Sequence, residues 1–320
     1  MVGDVERLLA ASRRRSWDLF GKTIKFYAPS FVRYQTTYYT APVKAFPSIS
    51  ITGSSCALRC QHCKGIVLET MIPATTPADL LRVCRSLKEQ GSIGCLISGG
   101  CLPNGTVPLE RFLETIRTIT KELGLKVIVH TGVIQEPMAH ALKAVGIDAA
   151  LLDVIGSDDT IREVYNLEVG IADYESSLQA LQRSGLPFIP HVIVGLHHGK
   201  LKGEFAAIDM IANYDPAALV IIALIPLRGT PMGRVDPASP AEIAEVIARA
   251  RLKLRAPIAL GCMRPQGPHR VKTDTLAVEA GINAIAYPDP EAVALARTLG
   301  LASAFSPQCC SQIYEDLLAS

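Results

Sequence analysis

From residue 47 onward, short runs of β-branched and apolar residues alternate with amphipathic stretches of helical period, and that alternation leaves few folds open. Strands separated by a crossover helix run parallel, and a parallel sheet is stable only when helices cover its faces. Residues 48–52, 93–98, 126–130, 149–154, 188–194, 219–225, 258–260 and 282–286 read as eight strands. Thr76-Pro77, Ser239-Pro240 and Asp289-Pro290 open helices between them, and Gly124, Gly185, Gly281 and Gly300 close others. Eight strand–helix units predict an α/β fold of the (β/α)8 TIM-barrel type over residues 45–300. An incomplete six-unit barrel is the alternative, and a doubly wound open sheet ranks third. A chain of 320 residues, 49% of them hydrophobic, has the material for one such core. Residues 1–44 read as an N-terminal lead-in packed against the side or bottom of the barrel, with a helical pattern at 5–10 and then an aromatic-rich stretch. Residues 301–320 form a C-terminal extension that carries a cysteine pair.

Barrels of this type keep their chemistry at the C-terminal ends of the strands. The unusual residues of this chain collect there. A cysteine loop follows the first strand, Gly99-Gly100-Cys101 the second, and His130 ends the third. Asp153 and Gly156 follow at the fourth, Gly195 at the fifth, Arg228-Gly229-Thr230-Pro231 at the sixth, and Gly261-Cys262 at the seventh.

The loop Ser55-Cys56-Ala57-Leu58-Arg59-Cys60-Gln61-His62-Cys63-Lys64-Gly65 places three thiols in the spacing C-x3-C-x2-C. Thiolates are the soft ligands of iron–sulfur clusters, and short spacers let one loop wrap a small inorganic body. Three cysteines on a four-iron cluster leave one iron open to a substrate or cofactor. The competing readings are a zinc knuckle, with His62 as fourth ligand, and plain buried thiols. Nine cysteines without the basic-then-apolar order of a secretory signal argue for thiolates on metal in a reducing cytoplasm, not for a disulfide framework. A formal charge of +2 is too mild to argue for nucleic acid or an anionic membrane, and the longest apolar run, residues 217–227, is too short to span a bilayer.

The cysteine loop, placed after a short first strand, resembles that of the radical S-adenosylmethionine (SAM) superfamily. The resemblance implies a [4Fe–4S] cluster on Cys56, Cys60 and Cys63, with SAM chelating the open iron and being cleaved to methionine and a 5′-deoxyadenosyl radical. Ser98-Gly99-Gly100 resembles the segment that receives the methionine end of SAM, with Cys101 where an acidic residue is usual. Tyr165-Asn166-Leu167-Glu168 is similar to the ribose-binding segment of biotin synthase; the competing reading is a helix terminus with solvent-facing polar groups. His191-Val192-Ile193-Val194-Gly195 stands where the family packs against adenine, which implies Val194 and Gly195 as an apolar wall. Ile225-Pro226-Leu227-Arg228-Gly229-Thr230-Pro231-Met232 follows a turn of the biotin-synthase-like branch, and the matches span roughly residues 45–265.

Six cysteines remain. Cys84 shares a helix face with Leu80, Leu81 and Leu87, and Cys95 shares the strand parity of Cys101, deeper in the barrel; both read as core. Cys101, Cys262, Cys309 and Cys310 can reach the barrel mouth, and four thiolates complete a second [4Fe–4S] site; scattered buried thiols are the alternative. Biotin synthase ligates an auxiliary cluster through an arginine after strand seven, a place resembled here by Leu260-Gly261-Cys262. By resemblance, a second cluster implies sulfur insertion, and the nearest pattern is a subunit of the two-component, archaeal-type lipoyl synthase. The implied partners are a ferredoxin- or flavodoxin-type reductant, a lipoyl carrier protein and a sister radical SAM subunit, with no nucleic acid or membrane. Lys200 and Lys202 could meet an acidic carrier, and Arg264 and His269 could touch substrate or pair structurally. Other branches remain open: a mutase of the pyrrolysine type, a hydrogenase-maturation enzyme, or a non-catalytic iron–sulfur scaffold.

Overall fold

The computed structural model describes residues 2–318. Its strands are β1 (Thr23–Tyr27), β2 (Ser48–Ser50), β3 (Ile72–Pro73), β4 (Gly94–Ser98), β5 (Lys126–His130), β6 (Ala149–Asp153), β7 (Phe188–Val194), β8 (Leu219–Ala223), β9 (Ile258–Leu260), β10 (Ala284–Ala286) and β11 (Ala302–Ser306). All join one sheet in the order β11-β1-β10-β9-β8-β7-β6-β5-β4-β2-β3, with every pairing parallel. The eight strands expected from the sequence are β2 and β4 to β10, in the expected sequential order, so the α/β barrel-type fold holds. The sheet is a curled half-barrel whose two ends, β3 and β11, are not hydrogen-bonded to each other.

The helices are α1 (Val2–Phe20), α2 (Pro77–Glu89), α3 (Leu113–Lys121), α4 (Glu136–Val145), α5 (Asp158–Tyr165), α6 (Ile171–Ser184), α7 (Glu204–Ile211), α8 (Pro240–Lys253), α9 (Pro268–Glu279), α10 (Pro290–Thr298) and α11 (Ile313–Leu318), the last of which packs inside the sheet and not on its outer face. Local chemistry sets their starts. Thr76 Oγ1 accepts the Asp79 N–H at 3.1 Å ahead of α2. Ser239 and Glu242 cap α8 reciprocally, at 3.3 and 2.7 Å, which satisfies two N–H groups that the helix itself cannot.

The lead-in does more than lie against the domain. Helix α1 packs on α8 and α9, and Ser12 Oγ donates to Ala280 O at 2.6 Å. Strand β1 then enters the sheet between β10 and β11. Aromatic residues of the lead-in knit this end together: Phe26 and Tyr39 contact Phe305, with ring centroids 5.1 and 4.7 Å apart, and Tyr34 donates to Pro288 O at 2.7 Å.

Strand alternation divides the apolar residues into two layers. Ile97, Val127, Val129, Leu152, Val192 and Val194 face the helices, in one large core. The inner layer contains Ile128, Leu151, Ile189 and Val220 with Ala149, Ala259, Ala284 and Ala286, and with Cys309, Cys310 and Ile313 from the C-terminal extension. Four alanines on the inner face leave room, and the extension fills it. From the end of β11 the chain passes through a 3-10 turn (Cys310–Gln312) packed against β8, β9 and β10. It then runs into α11, where Tyr314 donates to Asp148 O at 3.1 Å and Glu315 pairs with Lys126, at the starting ends of β6 and β5.

Candidate active site

The cysteine loop closes on itself at the C-terminal end of β2. The Cys63 and Lys64 N–H groups both reach Cys60 O, at 3.2 and 2.9 Å, and the Ile66 N–H reaches Cys63 O at 2.8 Å. Arg59 and Lys64 adopt left-handed conformations (φ 46° and 48°), which side chains disfavour and which persist only where surroundings enforce them. Neighbouring segments do so. The Ala57 N–H donates to Cys101 O at 2.9 Å and the Gln61 N–H to Val164 O at 2.7 Å. Asn166 Nδ2 donates to Leu58 O and Arg59 O at 3.1 and 3.2 Å. A Cβ on Gly100 would stand 2.0 Å from Ser55 O and 2.6 Å from the Cys56 Cα, so glycine here admits the loop itself.

Within the loop, donor atoms of Cys60, His62 and Cys63 lie within 4.8 Å of one another. Hydrogen bonding between the two thiols pushes Cys60 up and draws Cys63 down, and burial reinforces the first while His62 reinforces the second. His62 lies against Tyr165, centroids 5.2 Å apart, and its Nδ1 is shielded from solvent with no hydrogen-bond partner among the described residues. Three thiols in one tight loop suit an iron–sulfur cluster in donor chemistry.

The loop opens onto a cavity of about 360 Å³ inside the half-barrel. Cys56, Cys60, Cys63, Ser98, Gly99, Gly100, Cys101 and Tyr165 line one side of it, and Cys262, Cys309 and Cys310 line it from β9 and the C-terminal extension. Between them lie His130, Asp153 and His191 and an apolar lining of Leu58, Leu68, Met71, Ile193, Leu227 and Met263. Burial pushes Cys262 up to about 11, with Cys309 adding to it. The hydrogen bond between the adjacent thiols lowers Cys309, with Ser311 assisting, and raises Cys310. Gln312, fully buried beside this pair, leaves both side-chain amide atoms without a partner among the described residues. The donors of the wall itself are three soft sulfurs; Gln312 does not line the cavity.

Several expected site residues take other positions. Cys101 sits by the cysteine loop, its thiol pushed up to about 12 by burial and then by Cys56, Asp153 and Cys63, and it lines the same cavity as Cys262, Cys309 and Cys310. Cys95 does not point into the barrel. In β4, Leu96 and Ser98 line the cavity while Cys95 and Ile97 face α2, where Cys95 hydrogen-bonds Cys84. The Gly99-Gly100 turn breaks the parity that would have linked Cys95 with Cys101. Asn166 spends its side chain on the cysteine loop, and Glu168 is exposed and does not line the cavity. Val194 faces the helices, and the Gly195 N–H donates to Glu204 Oε1 at 2.8 Å; the cavity-facing residues of β7 are His191 and Ile193. Alternation in β7 could have indicated Ile193. Lys202 pairs with Asp159 at 2.7 Å. Arg264 forms a fully buried, two-pronged bridge to Asp274 at 2.6 and 2.8 Å, and His269 bonds Ala238 O and Thr273, so both are structural.

Residues 50–202 match the family model described as the Radical SAM superfamily, and they form a radical SAM domain. The chain is similar to "Biotin synthase 2" of Polaromonas sp. (strain JS666 / ATCC BAA-500), 27% identical over 251 residues that make up 75% of this chain and 71% of that protein. It is 25% identical over 266 residues to the biotin synthase of Janthinobacterium sp. (strain Marseille), covering 77% and 75% of the two chains. Among solved structures, the fold resembles methylornithine synthase (PylB), with a TM-score of 0.61, 14% identity and coverage of 98% and 91%. It also resembles HydG, a maturase of the [FeFe]-hydrogenase, with a TM-score of 0.61, 16% identity and coverage of 88% and 61%. No helix among the described residues is long and apolar enough to cross a membrane.

Proposed function

We propose, from the match of residues 50–202 to the Radical SAM superfamily and the similarity to biotin synthases, that the protein inserts sulfur into an aliphatic chain, an octanoyl group carried on a protein lysine. The observation that carries this reading is the second thiol wall. Cys262, Cys309 and Cys310 border the same cavity as Cys56, Cys60 and Cys63. In this proposal the loop cysteines hold the cluster that binds SAM, and the three wall cysteines hold an auxiliary cluster. Bound there, the two clusters and SAM would supply hydrogen abstraction from an unactivated carbon and the sulfur that replaces it.

The chain's own residues would position and protect that chemistry. Asn166 and Gly100 fix the loop, so that its three thiols present one face to the cavity. Leu58, Leu68, Met71, Ile193, Leu227 and Met263 offer an apolar lining that suits a hydrocarbon chain and excludes water from a reactive site. An external reductant would be needed, and a carrier protein and a sister subunit are the further partners that this reading implies.

The test is anaerobic reconstitution with iron and sulfide, followed by incubation with reductant, SAM and an octanoyl-lysine peptide. A sulfur-bearing product together with 5′-deoxyadenosine is the expected result. SAM cleavage without any sulfur-bearing product would overturn sulfur insertion and leave the radical SAM assignment standing. Replacing Cys309 and Cys310 by alanine should remove about one cluster's iron while the loop's cluster persists.

A further inference from the structure

Three side chains on the cavity wall belong to neither set of thiols. His130 ends β5, Asp153 ends β6, and His191 lies in β7 at the position paired with Asp153. Adjacent strands of one sheet hold all three, a more rigid support than any loop could give. One donor atom from each lies within 4.8 Å of the other two.

The contacts around them single out which atoms are free. His191 Nδ1 stands 3.1 Å from Ile189 O. A carbonyl oxygen can only accept, so Nδ1 carries the ring proton and Nε2 keeps its lone pair. Tyr165 donates its hydroxyl to Asp153 Oδ2 at 3.1 Å, which leaves Oδ1 for another partner. Asp153 Oδ1 and His130 Nε2 are 3.5 Å apart. That is longer than the roughly 2.7–2.9 Å of a charge-assisted hydrogen bond. It is close to the roughly 3.4 Å between two ligands that each stand about 2.1 Å from a tetrahedral ion.

We infer that His130, Asp153 and His191 form a binding site for a divalent first-row transition ion, separate from both thiol sets. Two imidazoles and one carboxylate suit zinc or iron(II), in contrast to the all-oxygen shells of magnesium and calcium. A ligating histidine whose other nitrogen donates to a backbone carbonyl, and a ligating carboxylate held by a tyrosine, are the outer supports that metal sites use to fix ligand orientation. Three protein ligands leave a coordination position open. Here it faces the cavity, where it would take an oxygen donor, a carbonyl or carboxylate of the bound substrate. The polar end of an otherwise apolar substrate would be anchored there. The inference does not depend on sulfur insertion.

The probe is zinc alone, added at one equivalent to cluster-loaded protein under anaerobic conditions and followed by gel filtration, metal and sulfide analysis, and zinc K-edge absorption. The expected result is about one retained zinc per chain, with iron and sulfide unchanged. Its shell should contain nitrogen and oxygen at ~2.0–2.1 Å and no sulfur at ~2.3 Å. Asp153→Asn and His191→Ala should each weaken zinc binding at least tenfold while iron and sulfide stay at the unsubstituted level. Sulfur in the zinc shell, no retained zinc, or equal retention by the two variants would each overturn the site. The absorption edge of the unsubstituted protein decides the matter even where a variant fails to fold.

Discussion

The side-chain amide of Asn166 holds the carbonyl of Arg59 at 3.2 Å, and both residues occupy the left-handed region, with φ of 53° and 46°. A helix C-terminus and the cysteine loop, more than a hundred residues apart, thus brace each other. Asn166→Ala should lower stability by about 1 kcal/mol, through loss of one part-buried and one exposed hydrogen bond, and make iron bound to the loop dissociate faster. Asn166→Gly keeps access to the left-handed backbone but lacks the amide, so it should lose iron equally fast. Iron retention after desalting, measured beside denaturant midpoints, checks both.

Gly100→Ala should be far more damaging than Gly99→Ala. The added carbon at 100 meets backbone, Ser55 O at 2.0 Å, whereas at 99 it meets side-chain atoms of Thr52 and Ile51 at 3.0–3.2 Å, which can give way. The expected cost at 100 is about 3 kcal/mol or more, at the upper end for overpacking, with loss of the loop's cluster. Parallel urea titrations and iron assays of the two variants measure the difference.

Asp274→Asn should destabilise the chain by about 3–5 kcal/mol, because it strands the buried charge of Arg264. The same guanidinium donates to Gly261 O at 2.7 Å, immediately before Cys262, and to Tyr287 O at 3.2 Å. Replacing both partners by apolar residues should cost less than Asp274→Asn alone, which a double-mutant cycle of unfolding free energies reads directly.

Glu204 gives the pH dependence. Burial raises its pKa against the opposing Gly195 N–H, and its Oε2 lacks a hydrogen-bond partner among the described residues. The fold therefore favours the neutral acid. The stability contributed by that preference is full below the unfolded carboxyl pKa and is lost as pH rises through the folded one. Glu204→Gln should stabilise the protein at neutral pH, and its advantage should vanish below about pH 4.5. Melting temperatures of the two proteins across that range test the sign.

Cys95→Ala and Cys84→Ala should leave iron content unchanged, since these two thiols meet each other on the helix side of β4. Each should cost about 1 kcal/mol for the small void it leaves. Metal analysis after reconstitution is the check.

What was legible in the sequence was whatever local rules govern. The strands β5, β7 and β9 begin and end where their apolar runs do, and the cysteine spacing located the loop before any coordinates. Strand β1 was missed because its partners lie near residues 284 and 302, and no local pattern announces them. Cys95 was turned the wrong way for a different reason: strand alternation is reliable only inside a strand, and its link to Cys101 reached across the Gly99-Gly100 turn. Val194 came from the family resemblance, whereas alternation within β7 brings His191 and Ile193 to the cavity. The position of Cys309 and Cys310 opposite the loop depends on four inner-face alanines on β6, β9 and β10, a cooperation that no single segment reveals.

The C-terminal segment threaded into the lumen imposes an order on biogenesis. During synthesis the ribosome releases the first three cysteines some 250 residues before the last two. A nascent chain can therefore shape the first loop while the opposite wall does not yet exist. Until the final strand and short helix arrive, the alanine-lined channel stands open and apolar, so this stage should depend most on chaperones and on growth temperature.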